Sequence, residues 1–444
     1  MAGSPRLGAS ARNKRHGKAI FGSATEPCKV WRSLSNFRAL GLTDELLRAL
    51  DDSGFTEPTP VQSAAIPHVL RGADVWASAK TGSGKTAAFA LPILQRLAER
   101  ASAPRPLPVS TLVLEPTREL AAQTAETFAR LGAHLSTRMK SVVAVGGVSI
   151  NPQMLALRGG ADIVIATPGR LLDLLDQNAL RLGSLQTIVL DEADRLLSLG
   201  FAEELTRIRA LVPARCQRLL FSATFPDAVH ELMDGFLREP VALDIDAGTM
   251  PDASLIAQRA IVVDERRRTE LLRHLLGVHA WPRVLVFVAT KYGAEHLTEK
   301  LRRHGVTAAP MHGELSQGAR TGALRDFKAG RLQALVATDL AGRGLDIAEL
   351  PVVLNFDLPR SPVDYVHRIG RTGRAGTEGV AVSFITAKSS DHFAVIERRH
   401  RLSLEREVIA GFEPTDPPVA PQGNGGVKGK RKSKKDKLRE AGLR

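Results

Sequence analysis

The chain has little of what disulfide-stabilised, metal-bound or membrane-spanning proteins depend on. Two cysteines, Cys28 and Cys216, are too few for a disulfide framework or a cysteine-based metal site. No apolar run approaches the length of a membrane span, since even Val284 to Ala289 has the length of one strand. The N-terminus also lacks the apolar core of a secretion signal. These absences predict a reducing, cytoplasmic compartment.

Acidic side chains are scarce at both ends of the chain. The formal net charge is +14, and residues 1–20 carry five basic and no acidic side chains, while residues 427–444 carry nine basic and two acidic ones. The part between is nearly neutral, as expected if cationic arms contact a polyanion. We expect residues 1–34 and 413–444 to be disordered basic tails, because their composition cannot form a core. A transit peptide is the alternative for residues 1–20.

The chain is organised around one glycine-rich stretch, Ala79-Lys80-Thr81-Gly82-Ser83-Gly84-Lys85-Thr86. With 444 residues and 43% hydrophobic side chains, the chain can bury the cores of two or three domains. A short apolar run, Val75 to Ala77, precedes the stretch, and a helical pattern from Ala87 to Leu97 follows it. A strand, a glycine loop and a helix in this order predict a phosphate-binding loop.

Each residue type in the loop has a chemical reason. Gly82 and Gly84 let backbone N–H groups approach phosphate oxygens, which a Cβ would obstruct. We expect Lys85 to neutralise the β- and γ-phosphates and the Thr86 hydroxyl to hold Mg²⁺. Ala79 stands where the strict pattern has its first glycine, so the loop is a variant. The alternative is an ordinary glycine-rich turn that caps a helix.

Apolar runs alternate with helical patterns after the loop, which predicts a parallel α/β sheet. Five of these runs lead directly into polar clusters: Thr111 to Leu114, Val142 to Val145, Ile163 to Ala166, Thr187 to Leu190 and Arg218 to Phe221. Doubly wound sheets bind ligands at the carboxyl ends of their strands. The five clusters therefore predict one active edge.

A second α/β series follows an aperiodic segment. Residues 243–254, LDIDAGTMPDAS, have the composition of a linker. The strand-like runs beyond it are Val284 to Val288, Ala334 to Ala337, Val352 to Phe356 and Val380 to Phe384. We expect a first domain over 35–242 and a second over 255–412. Because the second series has no GxGK loop, we expect a single nucleotide where the two domains meet.

Charged residues at the predicted edge fit nucleotide hydrolysis. Asp191 ends a hydrophobic run, where a carboxylate can hold Mg²⁺ opposite Thr86, and Glu192 can activate a water molecule. The alternative is a solvated acidic cluster at a helix N-terminus. In the second series, arginines recur at a spacing of three: Arg368, Arg371 and Arg374. Like charges on one face predict an anion opposite, such as a γ-phosphate, unless acids neutralise them.

Three turns at the edge offer amides, hydroxyls and guanidinium groups: Pro116-Thr117-Arg118, Gly146-Gly147 and Thr167-Pro168-Gly169-Arg170. Such groups can hold a sugar-phosphate backbone without recognising its bases. Taken singly, each is an ordinary turn.

With these motifs in order over about residues 37–386, the chain resembles the DEAD-box RNA helicases of superfamily 2. Asp191-Glu192-Ala193-Asp194 is the signature of that family. The phrases VGGVSINPQ, ATPGRLLDLL and LLFSATFP resemble its bacterial RhlE-type subgroup, as does the basic tail. The resemblance implies a monomer of two tandem RecA-like domains that uses ATP and Mg²⁺ and acts on RNA.

The resemblance also implies a role for each site residue. Phe37 would stack on adenine, Gln62 would read the adenine edge and Asp346 would contact the ribose. Catalysis would rest on Lys85, Asp191, Glu192, Arg371 and Arg374, and the metal on Thr86 and Asp191. The other nucleotide contacts would come from the loop residues Ala79, Thr81, Gly82, Ser83 and Gly84.

Coupling and RNA residues follow in the same way. The resemblance implies coupling of hydrolysis to unwinding by Asp194, Ser222, Thr224, His367 and Arg368. It implies RNA contacts at Pro116, Thr117, Arg118, Gly147, Thr167, Gly169, Arg170, Arg320 and Thr338. Two departures leave the catalytic set complete: Gly342 stands where the family usually has alanine, and Lys80 where it often has glutamine.

The implied activity is RNA-dependent ATP hydrolysis that locally unwinds short duplexes, or remodels RNA–protein complexes, as the two domains close. The alternative is an ATP-gated RNA clamp or annealing chaperone, which needs the same residues. The Q motif around Gln62 and the signature argue against a DNA helicase. Ribosomal and RNA-decay proteins are partners that only the family suggests.

Overall fold

Two seven-stranded parallel sheets form the frame of the molecule. The computed structural model describes residues 36–79, 82–100, 106–245, 256–342, 350–373 and 378–415. The expected tails lie outside these residues except for 413–415, and so does most of the expected linker. The predicted fold class, two parallel α/β domains in tandem, is confirmed.

The first sheet has the strand order β3-β4-β2-β5-β6-β1-β7. Its strands are β1 (Val75–Ser78), β2 (Thr111–Leu114), β3 (Ser141–Ala144), β4 (Ile163–Ala166), β5 (Thr187–Leu190), β6 (Gln217–Ser222) and β7 (Val241–Asp244). Every pairing is parallel, so all carboxyl ends meet at one edge. That edge carries the glycine loop after β1 and the acidic signature after β5.

The second sheet has the order β10-β11-β9-β12-β13-β8-β14. Its strands are β8 (Ile256–Val262), β9 (Val284–Val288), β10 (Ala308–Met311), β11 (Ala334–Thr338), β12 (Val352–Asn355), β13 (Gly379–Ile385) and β14 (Arg406–Glu407). Numbered from the first strand of each sheet, the two orders are identical. The chain therefore repeats one architecture twice.

Helices connect the strands of the first sheet. They are α1 (Asp44–Asp52), α2 (Pro60–Leu70), α3 (Lys85–Ala98), α4 (Arg118–Leu131), α5 (Asn151–Leu157), α6 (Pro168–Asp176), α7 (Ala193–Ser198), α8 (Ala202–Leu211) and α9 (Asp227–Phe236), after a 3₁₀ turn at Phe37–Leu40. Local sequence sets where they begin. Pro60 opens α2 with the fixed φ of a first helical residue, and Thr117 caps α4 by accepting a hydrogen bond from the Leu120 N–H at 3.3 Å.

The second sheet is connected in the same manner. Its helices are α10 (Arg268–His279), α11 (Lys291–Arg303), α12 (Gln317–Lys328), α13 (Asp339–Gly342), α14 (Pro362–Ile369) and α15 (Ser390–His400), with a 3₁₀ turn at Glu265–Arg267. Thr290 caps α11 and Ser316 caps α12, each accepting a backbone N–H three residues on. None of the helices in these described ranges is long and apolar enough to cross a membrane.

The cores lie on both faces of each sheet, because successive side chains of a strand point to opposite sides. In β2, Leu112 and Leu114 join one hydrophobic cluster, while Val113 joins the other with Phe89 and Phe128. Both faces are thus covered by helices. This explains why the central strands are continuous apolar runs in the sequence.

The predicted central strands agree with the structure, and four edge or near-edge strands were missed. Thr111–Leu114, Ile163–Ala166, Thr187–Leu190 and Val284–Val288 are strands with the predicted ends. No strand-like run is predicted from the sequence for β7, β8, β10 or β14. Three of these are only partly buried, and β10 has two alanines and a proline among its four residues, so none forms a strongly apolar run.

The ends of the two sheets fall close to the expected divisions of the chain. β7 pairs with β1 as far as Asp244, two residues past the expected limit at 242. In the second half, Phe412 belongs to the core of the second sheet, and Thr415 donates a hydrogen bond to Asp264. The first sheet therefore extends to Asp244, and the contacts of the second reach Thr415, each slightly beyond the expected domain limit.

Candidate active site

The lysine of the glycine loop is hydrogen-bonded to the residue at the start of the loop. Gly82 and Gly84 have φ values of +84° and +89°, a left-handed conformation that side chains disfavour. Lys85 begins α3 with its side chain buried, and its Nζ donates a hydrogen bond to the Ala79 carbonyl at 2.8 Å. The lysine is thus held at the point where the sequence places phosphates. Lys80 and Thr81 lie outside the described residues.

The segment around Gln62 is hydrogen-bonded to the glycine loop. The Gln62 side chain is fully buried, its Nε2 donates to the Gly84 carbonyl at 3.2 Å and its Oε1 accepts the Thr59 N–H at 2.9 Å. A Cβ on Gly84 would lie 2.3 Å from that Nε2. Phe37 is buried against Phe55, with ring centroids 6.5 Å apart. The structure therefore brings Gln62 to the loop, while contacts of Gln62 and Phe37 with adenine stay predictions.

The two acids of the signature occupy the carboxyl end of β5. The Asp191 N–H donates to the Leu114 carbonyl of neighbouring β2, and its Oδ1 accepts the Glu192 N–H at 2.9 Å. Burial raises the pKa of Asp191 to about 6, and the Glu192 carboxylate adds to the rise, against the opposing effect of Lys85. Glu192 has a φ of +49°, an unusual value that directs the residue out of the strand at the start of α7.

A third buried acid, Glu115, was not recognised in the sequence. It follows β2 directly, beside Asp191 across the sheet, and its Oε1 accepts a hydrogen bond from Thr124 Oγ1 at 2.6 Å. Burial and the Asp191 carboxylate raise the pKa of Glu115 well above its usual range. The signal was an acid directly after an apolar strand, the same signal that pointed to Asp191.

Glu192 keeps its charge although it is buried. Burial alone would raise its pKa, but the guanidinium of Arg195 outweighs this, helped by Lys85 and Arg371, so that the pKa is lowered. Arg195 Nη1 lies 2.7 Å from Glu192 Oε2, and the two side chains are 3% and 5% exposed. Arg195 is a second residue that the sequence did not single out. An ionised Glu192 can accept a proton.

The residues present fit a divalent metal ion. Asp191 and Glu115 offer carboxyl oxygens and Thr86 a hydroxyl, which are the donors that Mg²⁺ prefers. Two neighbouring buried acids whose pKa values are raised mainly by burial gain from an added positive charge. Among the described residues, no cluster of three or more His, Cys, Asp or Glu has the geometry of a metal cage.

Asp194, the last acid of the signature, connects three segments. Its Oδ2 accepts hydrogen bonds from the N–H and Oγ1 of Thr224 at 3.1 and 2.7 Å, while its own N–H donates to Ser222 Oγ at 3.2 Å. His367 of the second domain lies 3.6 Å away. Burial opposes ionisation, but the bonds to His367 and Thr224 lower the pKa of Asp194 well below its usual range. Four of the five expected coupling residues are thus brought together.

The arginines of the second domain do not share one environment. Arg368 is 1% exposed and forms a bidentate ion pair with Asp339, with hydrogen bonds of 2.6 and 2.9 Å. It also donates a hydrogen bond to Asn355 at 3.0 Å. Its guanidinium also lies 4.8 Å from the Phe287 ring. Neutralisation by an acid, the alternative considered for the arginines, therefore holds for Arg368. Arg371 is buried near Glu192, whereas Arg374 and Asp346 lie outside the described residues.

The three predicted RNA turns meet at one edge of the first sheet. Arg118 Nη1 donates to the Gly147 carbonyl at 3.3 Å, and the Gly146 N–H donates to Thr167 Oγ1 at 3.3 Å. Arg170 Nη2 donates to the Val148 carbonyl at 2.9 Å. The remaining members flank these contacts: Pro116 precedes the Thr117 cap of α4, and Gly169 lies in the first turn of α6.

In the second domain, Arg320 forms an ion pair with a carboxylate of the first domain. Its Nη2 lies 2.7 Å from Oε2 of Glu119 in the first domain, and both side chains are buried. Gln317 reaches the same carboxylate with Nε2 at 3.5 Å. Thr338 ends β11 and is half-buried. Arg320 thus connects the domains, and its contact with RNA stays a prediction.

A phosphate-binding loop that faces carboxylates of its own domain and an arginine of a second domain defines a two-domain nucleotide-hydrolysing protein. Residues 59–232 match the DEAD/DEAH box helicase family, and residues 267–376 match the helicase conserved C-terminal domain. The chain belongs to the DEAD/DEAH box helicases.

Curated relatives and solved structures agree with this family. The chain is 42% identical over 375 residues to the DEAD-box ATP-dependent RNA helicase CshA of Bacillus cereus, covering 84% of this chain and 70% of the relative. The CshA of Geobacillus kaustophilus is 41% identical, with 84% and 78% covered. S. cerevisiae Dbp5 bound to RNA and ADP BeF3 superposes with a TM-score of 0.74 at 32% identity, covering 86% of this chain and 96% of that one. These matches confirm a DEAD-box RNA helicase, but they do not support the RhlE-type subgroup.

Proposed function

We propose that this protein is an RNA-dependent ATPase that locally unwinds short RNA duplexes, or remodels RNA–protein complexes, by ATP-driven closure of its two RecA-like domains. The observation that carries the proposal is the approach of the two domains at the acidic signature, where His367 of the second domain lies 3.6 Å from Asp194 of the first. Arg371 of the second domain also helps to lower the pKa of Glu192 in the first. A catalytic site assembled from two domains makes hydrolysis depend on their approach.

Each catalytic side chain has a task at the phosphates. Lys85 neutralises the β- and γ-phosphates once it leaves the Ala79 carbonyl. Glu192 accepts a proton from the attacking water, and Arg371, with Arg374, stabilises the charge of the transferring phosphoryl group. Mg²⁺, which Thr86 and Asp191 would hold, supplies further positive charge at the phosphates when bound.

Coupling to RNA runs through Asp194. Its hydrogen bonds with Thr224 and its contact with His367 connect the acidic signature to both domains. A change in domain separation would break the His367 contact first, because the bonds to Ser222 and Thr224 lie within the first domain. The state of the cleft is thereby transmitted to the residue pair beside the general base.

RNA lies along the edge formed by the three turns and continues onto the second domain at Thr338. Amides, hydroxyls and guanidinium groups there suit phosphate and sugar, so little sequence preference is expected. The structure of Dbp5 with RNA and ADP BeF3, a relative of the same fold, supports RNA as the ligand. Closure of the cleft would bend the bound strand and separate a short duplex.

The remaining assignments follow the family. We place the nucleotide base between Phe37 and Gln62 and the ribose at Asp346. The first domain would end with β7 at Asp244, and the second would run from β8 to Thr415. A cytoplasmic monomer with ribosomal or RNA-decay proteins as partners fits the composition, and an RhlE-type subgroup is still the hypothesis drawn from the sequence phrases.

Steady-state ATP hydrolysis with and without single-stranded RNA tests the proposal. We expect RNA to stimulate the wild type and DNA not to, because the closed arrangement is sparsely populated without RNA. Glu192→Gln should lower the stimulated rate by at least about 100-fold, as expected for loss of a general base. Glu203→Gln, on an exposed face of α8, is the matched control and should be unchanged. A wild-type rate of ATP hydrolysis that RNA does not stimulate would contradict the proposal.

A further inference from the structure

The first turn of α11 carries an unusual surface feature. Tyr292 is 73% exposed, more than any other large apolar side chain in the described ranges. Its ring stacks on the imidazole of His296 one helical turn later, with centroids 5.6 Å apart and an interplanar angle of 11°. The pair presents a flat π surface to the outside. The other tyrosine, Tyr365, is buried.

Sheet topology places this aromatic pair beside the predicted RNA residues of the second domain. β9 ends at Val288, directly opposite Thr338 of β11, and α11 begins three residues later. β10 is the next strand along, and the helix that follows it carries Arg320. The pair therefore emerges at the ligand edge of the sheet, two strands from the element that contacts the first domain.

Local contacts fix the aromatic pair to that edge. Lys291 forms an ion pair with Glu314, and Glu295 Oε1 lies 2.7 Å from His312 Nε2. Both partners belong to the loop that leads into α12. Since α12 reaches Glu119 of the first domain through Arg320, the rings are held near the line where the two domains meet.

The surroundings favour a nucleic-acid base over a protein surface. Protein interfaces are built around a largely apolar centre from which charged residues are depleted. Here the residues beside Tyr292 on α11, Lys291 and Glu295, are charged and exposed, and so is Glu314, the ion-pair partner of Lys291. A base needs only an exposed aromatic face, and stacking on tyrosine is a common way to bind unpaired RNA.

We propose that Tyr292, supported by His296, stacks on an unpaired base of the bound RNA at the edge that carries Thr338. This inference rests on the proposed RNA binding and adds a contact to a base where the other expected contacts address the backbone. A base inside a duplex cannot offer its face. The stacking surface therefore selects single-stranded RNA and holds a strand after it has separated.

Binding of a single-stranded RNA oligonucleotide to the full chain with a non-hydrolysable ATP analogue tests this. Tyr292→Ala should weaken binding by about 5- to 150-fold, the range for one stacked base. Tyr292→Phe should retain the affinity, because the ring persists. The salt dependence should keep its slope, since no phosphate contact is lost. Alanine favours helices, so α11 is preserved.

Two controls separate stacking from other effects. Val278→Ala removes a 64% exposed side chain at the opposite edge of the same sheet and should change nothing. With an abasic oligonucleotide of equal charge, wild type and Tyr292→Ala should bind alike. Equal affinity of the two proteins for normal RNA, or an equal difference on abasic RNA, would overturn the stacking contact. If RNA still stimulates the wild-type ATPase, the proposed function survives that result.

Discussion

Glu119 on α4 and Arg320 on α12 form an ion pair of 2.7 Å across the two domains, and each side chain is about 6% exposed. Burial lowers the pKa of Arg320 and the nearby Arg118 adds to this, whereas Glu119 raises it. The acid thus stabilises a buried cation that would otherwise face Arg118. Because each partner belongs to a different domain, the pair exists only when the cleft is closed.

Breaking this pair should disfavour closure. Loss of one partner of a buried ion pair costs about 3 to 5 kcal/mol, so Glu119→Arg and Arg320→Glu should each lower RNA-stimulated ATP hydrolysis by about 100-fold or more. The double variant, which restores opposite charges, should recover much of the rate. RNA-stimulated turnover of all four proteins gives the coupling energy. Additive effects of the two changes would show that the pair does not govern closure.

Arg371 and Arg368 should fail in different ways. Arg371→Ala should lower RNA-stimulated kcat by about 1000-fold, as expected when an arginine at the γ-phosphate is removed. Arg368→Ala should lower the melting temperature instead, because it leaves Asp339 and Asn355 without their buried partner. Turnover and thermal unfolding of both variants distinguish the two roles. Similar profiles would contradict the distinction.

The pH dependence of stability should reveal the strain at Asp191. Its pKa in the folded protein, about 6, lies above the ordinary value of 3.8, so the folded state binds this proton more tightly than the unfolded state. The Asp191 contribution to stability therefore falls as pH rises from about 4 to 6. Without nucleotide, Asp191→Asn should exceed the wild type by about 3 kcal/mol at pH 7 and match it near pH 4.

Urea unfolding across that pH range checks the Asp191 prediction. Glu203→Gln, which removes an exposed carboxylate, serves as the control and should follow the wild type at every pH. The difference between wild type and Asp191→Asn should open only above about pH 4, where an unperturbed aspartate ionises. A constant difference at all pH values would assign the effect to packing instead of charge.

Removing residues 427–444 should weaken RNA binding without touching the catalytic site. This segment carries nine basic and two acidic side chains. Each phosphate that it neutralises adds about −0.7 to the slope of log K against log salt for a single strand, so the truncated protein should show a flatter slope. Basal ATP hydrolysis should be unchanged. If the slope is the same as that of the full chain, the segment does not touch RNA.

The sequence was most informative where one residue type determines the local backbone conformation or burial. The glycine loop predicted the left-handed Gly82 and Gly84, and the apolar runs predicted central strands such as Thr187–Leu190 with their ends. Both follow from local rules of backbone conformation and burial. The family and the two-domain fold followed from the order of these motifs.

Relations between distant segments were beyond the sequence. Nothing in the arginine spacing separates Arg368, which is neutralised by Asp339, from Arg371 near Glu192, because the difference depends on which strand end each one faces. The Glu119–Arg320 pair joins residues 201 positions apart across two domains. Glu115 was overlooked beside a more familiar motif, although the same local signal was present.

The repeated strand order has a consequence for binding stoichiometry. The turn after β8 takes the place in the second sheet that the glycine loop after β1 takes in the first. There the carboxylate of Asp264 accepts hydrogen bonds from the N–H and Oγ1 of Thr415, at 2.9 and 2.7 Å. A contact within the chain thus stands at this place in the second sheet. The repeated architecture therefore carries a glycine loop at only one of its two sheets, and the second sheet contributes His367 and Arg371 to the site instead.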